Sequence, residues 1–136
     1  MDLIKSLFIS ASGLRAQNGR MRVIAENIAN ANSTAKTPDE LPYRRKIPTF
    51  QSHYDKALGA DVVELGEVVE DKSDFRSVHM PGHPAADGNG YVLQPNVNTL
   101  IETTDMREAQ RSYEANLNVI DSTRKMLQRT IDILRA

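Results

Sequence analysis

The sequence predicts a mainly α-helical chain with a small β-containing middle. Its N- and C-terminal helices are expected to pair as an antiparallel coiled coil, with an irregular, strand-bearing insertion between them. Three observations predict this. The two ends of the chain are free of proline and carry apolar residues at every seventh position. All six prolines, from Pro38 to Pro95, fall in the stretch between them, so that stretch cannot be one helix. Within it, valine pairs flanked by turn residues read as short strands. The implied division is an N-terminal helix over 1–31, a middle domain over 32–98 and a C-terminal helix over 99–136.

The first helix is expected from Asp2 to Ala31. Leu7, Leu14, Met21 and Ile28 recur every seventh residue, and Ile4, Ala11 and Ala25 fill the neighbouring heptad position around Asn18. About 28 helical residues span about 42 Å. The last helix is expected from Thr99 to Arg135, where Met106, Tyr113, Ile120, Leu127 and Leu134 repeat with the same period. Leu7, Leu14, Met21, Ile28, Tyr113, Ile120, Leu127 and Leu134 form the predicted seam. In the middle, Asp61–Asp71 reads as a strand or hairpin around Gly66, and Phe75–His79 and Tyr91–Leu93 as short strands on either side of a turn-rich stretch, Met80–Gly90.

Each helix carries a second line of residues off this seam. On the first it is Ser12, Ala16, Gly19, Val23, Asn27 and Asn30, small and uncharged. On the last it is Ser112, Ala115, Val119, Ser122, Met126 and Ile133. A two-helix hairpin buries one stripe per helix, and exposed apolar stripes mark interfaces. Ser12, Ala16, Gly19, Val23, Asn27, Asn30, Ala115, Asn116 and Val119 are therefore the expected subunit interface. The plainer alternative is that the middle region covers these stripes. Asn30 reads equally as a left-handed helix cap.

Composition excludes more than it assigns. The 136 residues suit one domain, and 17 basic against 18 acidic residues leave a net charge of −1, with no general attraction for nucleic acid or anionic membranes. With no cysteine, disulfides, thiolate nucleophiles and cysteine zinc sites are excluded. No apolar run approaches the roughly 20 residues of a membrane helix. Met1–Leu14 only faintly mimics a signal peptide, because the helical pattern runs straight through any cleavage point.

Catalytic and cofactor patterns are missing as well. His79, His83 and Asp87 have metal-like spacing, but Pro81, Gly82 and Pro84 keep them off a helix, and solvated loop histidines are expected. Gly88-Asn89-Gly90 is a turn with no Lys-Ser/Thr after it, and no GxSxG is present. Arg15, Arg20 and Arg22 and the Arg44-Arg45-Lys46 run have Tyr43 as their one aromatic neighbour, too little for a nucleic-acid surface. No catalytic residue, metal site, cofactor or small-molecule substrate is expected.

Residues 14–34, LRAQNGRMRVIAENIANANST, with Glu26–Ala31 at their centre, resemble the N-terminal signature of the flagellar rod and hook axial proteins. Pro42-Tyr43-Arg44-Arg45-Lys46, Pro81-Gly82-His83-Pro84, Gly90-Tyr91-Val92 and Pro95-Asn96-Val97-Asn98 resemble the C-type proximal-rod members. So do Asp105–Ala109 and Arg111–Asn116; the chain departs from the pattern over Ala57–Ser73. The resemblance implies an inner coiled coil of the two terminal helices with a small β-containing middle outside it. It implies a structural, non-enzymatic subunit of the proximal rod that assembles with other copies and homologous rod proteins into a torque-transmitting shaft. It also implies contact with the flagellar membrane ring and export apparatus, type III export without a cleaved signal peptide, a periplasm-spanning location in the basal body, and termini that order on assembly. The competing reading is a soluble secreted coiled-coil adaptor or chaperone; a cell-wall hydrolase stands a distant third.

Overall fold

The computed structural model describes residues 2–135; Met1 and Ala136, the outermost residues of the expected helices, lie outside the described residues. Helix α1 (Leu3–Ala29) begins where Asp2 caps it, its Oδ1 accepting the Ile4 N–H at 2.9 Å. Helix α2 (Thr99–Arg135) is capped the same way by Asn98, whose Oδ1 accepts from Leu100 N at 3.0 Å. Between them run β1 (Lys46–Ile47), β2 (Phe50–Asp55), β3 (Ala60–Leu65), β4 (Val69–Glu70), β5 (Arg76–His79) and β6 (Tyr91–Gln94). Both helices thus match the expected bounds within two residues, and the middle is β-containing as expected. No non-glycine residue among those described has positive φ, so Asn30 is no left-handed cap. Its side-chain amide bonds back to Glu26 O at 2.9 Å instead.

The strands form three separate antiparallel pairs: β1 with β4, β2 with β3, and β5 with β6. The sequence did not mark β2. Its residues, FQSHYD, contain no β-branched side chain; the strand forms because Val62, Val63 and Leu65 of β3 supply the pairing partner, from Phe50↔Leu65 to Asp55↔Ala60. Asp61–Asp71 is likewise not one hairpin. It splits into β3 and β4, which pair with different strands, and Gly66 is no turn. A Cβ there would lie 2.8 Å from Thr49 Oγ1, while its N–H bonds Thr49 O at 2.7 Å, so the glycine permits close backbone approach.

Packing divides the chain into two compact units, and each helix contributes a segment to both. The first unit comprises the chain up to Met21, Pro48–Glu67, and the chain from Arg107 onward. In it the β2–β3 hairpin rests on α1, where Val63 N–H bonds Ser12 Oγ at 3.3 Å and Leu65 packs against Gly19. Gly13 faces Asn116, and Arg20 reaches Glu108 at 3.6 Å. The buried side chains are small: Ser10, Ser12, Ala16, Ala109 and Thr123. Small residues allow this close approach at the cost of a large apolar core.

The second unit comprises Arg22–Ile47 and Val68–Met106. Its core gathers Val23, Ile24, Ala31, Ala85, Val92 and Val97. Strand β6 alternates as a half-buried strand should, with Val92 inside and Tyr91 and Leu93 outside.

Candidate functional site

In the second unit, Asn27 of α1 and Glu102 of α2 are the most deeply buried polar groups, at 0% and 1% exposure. The Asn27 amide is fully used. Its Nδ2 donates to Lys46 O at 2.8 Å and Glu102 Oε2 at 3.1 Å, while its Oδ1 accepts from Tyr43 Oη at 2.8 Å and Lys46 N at 2.9 Å. Arg45 Nε donates to the other Glu102 oxygen, and Arg45 also pairs with Asp71 at 3.3 Å and Asp105 at 3.9 Å. Asn96 closes the knot: its Oδ1 accepts from Arg45 N at 2.7 Å and its Nδ2 donates to Asp71 O at 3.0 Å.

Such a network stabilises only when every member is satisfied. Burial opposes the charge on Arg45, but Glu102 and Asp71 outweigh it, and the guanidinium's pKa is raised. The amide and hydroxyl of Ser73 hold the Asp71 carboxyl below its usual range, with Arg45 adding to the effect. Burial, then the Glu26 and Glu102 carboxylates, push the Tyr43 phenol up to about 12.

The folded state therefore keeps the Tyr43 proton at a pH where the unfolded chain has released it. The stability tied to that proton is complete below the ordinary tyrosine value near 10 and is lost as pH rises toward 12. Urea unfolding across this range is expected to show a steeper loss of stability for the parent than for Tyr43→Phe. Parallel curves for the two proteins would contradict this.

The placement of the predicted interface residues is uneven. On α1, Ser12, Ala16, Val23 and Asn27 are buried within the chain, Gly19 lies against Leu65, and Asn30 is half-buried. The chain's own middle covers this line, so in this conformation it is not open to a second subunit. On α2, Ala115 and Val119 are exposed, together with Met126 and Ile133 of the same line, whereas Asn116 turns toward Gly13.

The predicted seam is only half-buried at Leu7, Leu14, Met21, Ile28, Tyr113, Ile120 and Leu127, and Leu134 is 81% exposed. At 3.6 residues per turn, Ser12, Ala16, Gly19, Val23 and Asn27 lie roughly opposite Leu14 on α1. A further series, Ser10, Gly13, Gln17, Arg20, Ile24 and Asn27 on α1 and Ala31 just past its end, in alternating steps of three and four, is also buried or half-buried. On α2 its counterpart is Glu102, Ala109, Asn116 and Thr123, every seventh residue. Sequence reasoning missed this series because most of its members are small or polar. The cost of Gly13 inside a helix is the signal that could have pointed to it.

Among the described residues no group of His, Asp and Glu is arranged to hold a metal ion, and no helix is long and apolar enough to cross a membrane.

Residues 7–35 match the family described as flagella basal body rod protein, and residues 89–133 match the flagellar basal body rod FlgEFG protein C-terminal family. Among relatives, the flagellar basal-body rod protein FlgC of Agrobacterium fabrum is 52% identical over 94% of this chain and 92% of its own length. The FlgC proteins of Salmonella typhimurium and Bacillus subtilis are 37% and 36% identical, each over 98% of this chain. These relatives are structural rod proteins and not enzymes, and nothing among them supports the adaptor alternative. The chain belongs to the FlgC family of flagellar basal-body rod proteins.

Proposed function

We propose that this structural rod subunit assembles through the large-residue face of α1 and the outer line of α2. On α1 the face is Leu7, Leu14, Met21 and Ile28, extended by the exposed Ile4 and Phe8; on α2 it is Ala115, Val119, Met126 and Ile133. One observation carries this reading: α1 buries its small residues internally and, Val23 and Ile24 apart, leaves its large apolar ones half-buried or exposed. The series through Ser10, Gly13, Gln17 and Arg20 then serves the pairing of α1 with α2 as an antiparallel coiled coil, a reading supported by the Gly13–Asn116 and Arg20–Glu108 contacts. Two different faces meeting head to tail build an open helical array. Its neighbours in that array are other copies and homologous rod proteins, with the membrane ring and export apparatus at its base. The proposed location is the periplasm-spanning rod, reached by type III export without a cleaved signal peptide, and the work is torque transmission to the hook through distributed side-chain contacts.

Deleting the chain from its organism is expected to leave membrane rings without rod, hook or filament in electron micrographs. The parent sequence restores swimming. Leu14→Glu does not, although the purified variant keeps the helix content and unfolding midpoint of the parent. Normal flagella with Leu14→Glu would overturn the assignment of this face.

A further inference from the structure

We propose that Asn89 is a site of spontaneous deamidation, closing through the Gly90 backbone nitrogen to a cyclic imide that opens to aspartate or isoaspartate. The sequence holds two Asn-Gly pairs, Asn18-Gly19 and Asn89-Gly90. A glycine after asparagine leaves the attack on the side-chain amide free of any Cβ. Both asparagines are exposed, so access to water does not separate them. Their backbones do.

Asn89 lies in the turn between β5 and β6. Its backbone N–H donates to Asp87 Oδ1 at 2.9 Å, while its side-chain amide has no hydrogen-bond partner among the described residues. Gly90 is buried, and its N–H is restrained by one bond, to Asp87 O at 3.0 Å, which local opening of the turn releases. The fold itself demands this glycine. Its φ is 82°, and a Cβ would lie 3.0 Å from Pro81 Cβ and 3.2 Å from His79 Nε2. The turn therefore keeps the residue that makes Asn89 reactive. Asn18, by contrast, sits inside α1. There the Gly19 N–H is tied into the helical ladder, and Leu65 Cδ2 lies 2.9 Å from where a Gly19 Cβ would be. Freeing that nitrogen breaks neighbouring helical bonds, whereas freeing Gly90 N opens one turn bond. Asp87-Gly88, able to close by the same route, is held back because Asp87 Oδ1 already accepts from Asn89 N and Tyr91 N, both at 2.9 Å.

The chemistry needs only water. The Gly90 nitrogen gives up its proton and bonds Asn89 Cγ; the Cγ–Nδ2 bond breaks, and ammonia leaves with that proton. Water then opens the imide, and no electrons are exchanged. Opening at Cγ gives aspartate, and opening at the main-chain carbonyl gives isoaspartate, whose backbone is one carbon longer. Met80 N to Gly90 O at 2.8 Å and Tyr91 N to Asp87 Oδ1 at 2.9 Å span this point, so isoaspartate loosens the His79↔Tyr91 end of the β5–β6 pair. The site is independent of the assembly faces proposed above.

The experiment incubates the full-length chain at pH 8 and 37 °C, native and in urea, and maps its peptides by mass spectrometry with fragmentation that tells isoaspartate from aspartate. In the native chain Asn89 is expected to react at least about tenfold faster than Asn18, the ratio set by one further hydrogen bond to open. In urea the two pairs are expected to react at similar rates. Amide protection of Met80 is expected to fall in the aged parent and to hold in aged Asn89→Gln, while protection of Lys46 N in the polar knot stays constant in both. Asn89 that stays intact in the native chain while reacting in urea would refute the proposal, as would equal native rates at Asn18 and Asn89. Unchanged Met80 protection in chains carrying isoaspartate at position 89 would overturn the effect on the turn.

Discussion

Arg45→Met is expected to destabilise the chain by about 3 kcal/mol at neutral pH, the low end of the range for stranding one partner of a buried ion pair. Glu102 is 1% exposed and has two charge-bearing or amide partners, Arg45 and Asn27. Without Arg45 the carboxylate keeps one amide bond and no adjacent cation, while Asp71 and Asp105 lose the same guanidinium. The double variant Arg45→Met/Glu102→Leu recovers part of the loss, because it removes the stranded charge instead of burying it. Urea unfolding of all three proteins at neutral pH checks this. A single variant as stable as the parent would mean that the ion pair contributes nothing.

Asn27→Ala carries the second large effect, also about 3 kcal/mol, since it strips partners from the half-buried backbone N–H and C=O of Lys46, a phenol and a buried carboxylate. The readout separates two roles for this residue. A side chain that serves only subunit contact leaves the unfolding of the monomer unchanged when truncated. The knot requires the monomer itself to lose stability, with a lower urea midpoint before any assembly takes place. Asn27→Asp is expected to be no milder, because it sets a second carboxylate beside Glu102.

The parts of the fold that the sequence revealed are those governed by local periodicity. Seven-residue spacing and the absence of proline located α1 and α2, and the turn residues of Met80–Gly90 framed β5 and β6. Strand β2 was invisible because its conformation is set by its partner β3 and not by its own side chains. The helix faces were harder for a different reason. Leu7, Leu14 and Met21 are the residues a heptad reading seizes on, yet α1 buries Ser10, Gly13 and Ile24 more deeply. Large residues mark where apolar area is available, while small ones mark where backbones come close, and here the chain uses the second for its own packing. The polar knot joins residues 19 and 75 positions apart, from Asn27 to Lys46 and to Glu102, and no window along the sequence holds them together.

Because the chain contains no cysteine, single cysteines can report directly on which helix faces are covered in the rod. The decisive measurement is maleimide labelling of Leu14→Cys, Met21→Cys, Met126→Cys, Ala16→Cys and Val23→Cys, each as purified chain and within isolated basal bodies. The first three are expected to label in the free chain and to be protected in the rod, while Ala16→Cys and Val23→Cys resist labelling in both. Cysteines at Leu14, Met21 and Met126 that label equally well in the assembled rod would contradict the assignment of these faces to subunit contact.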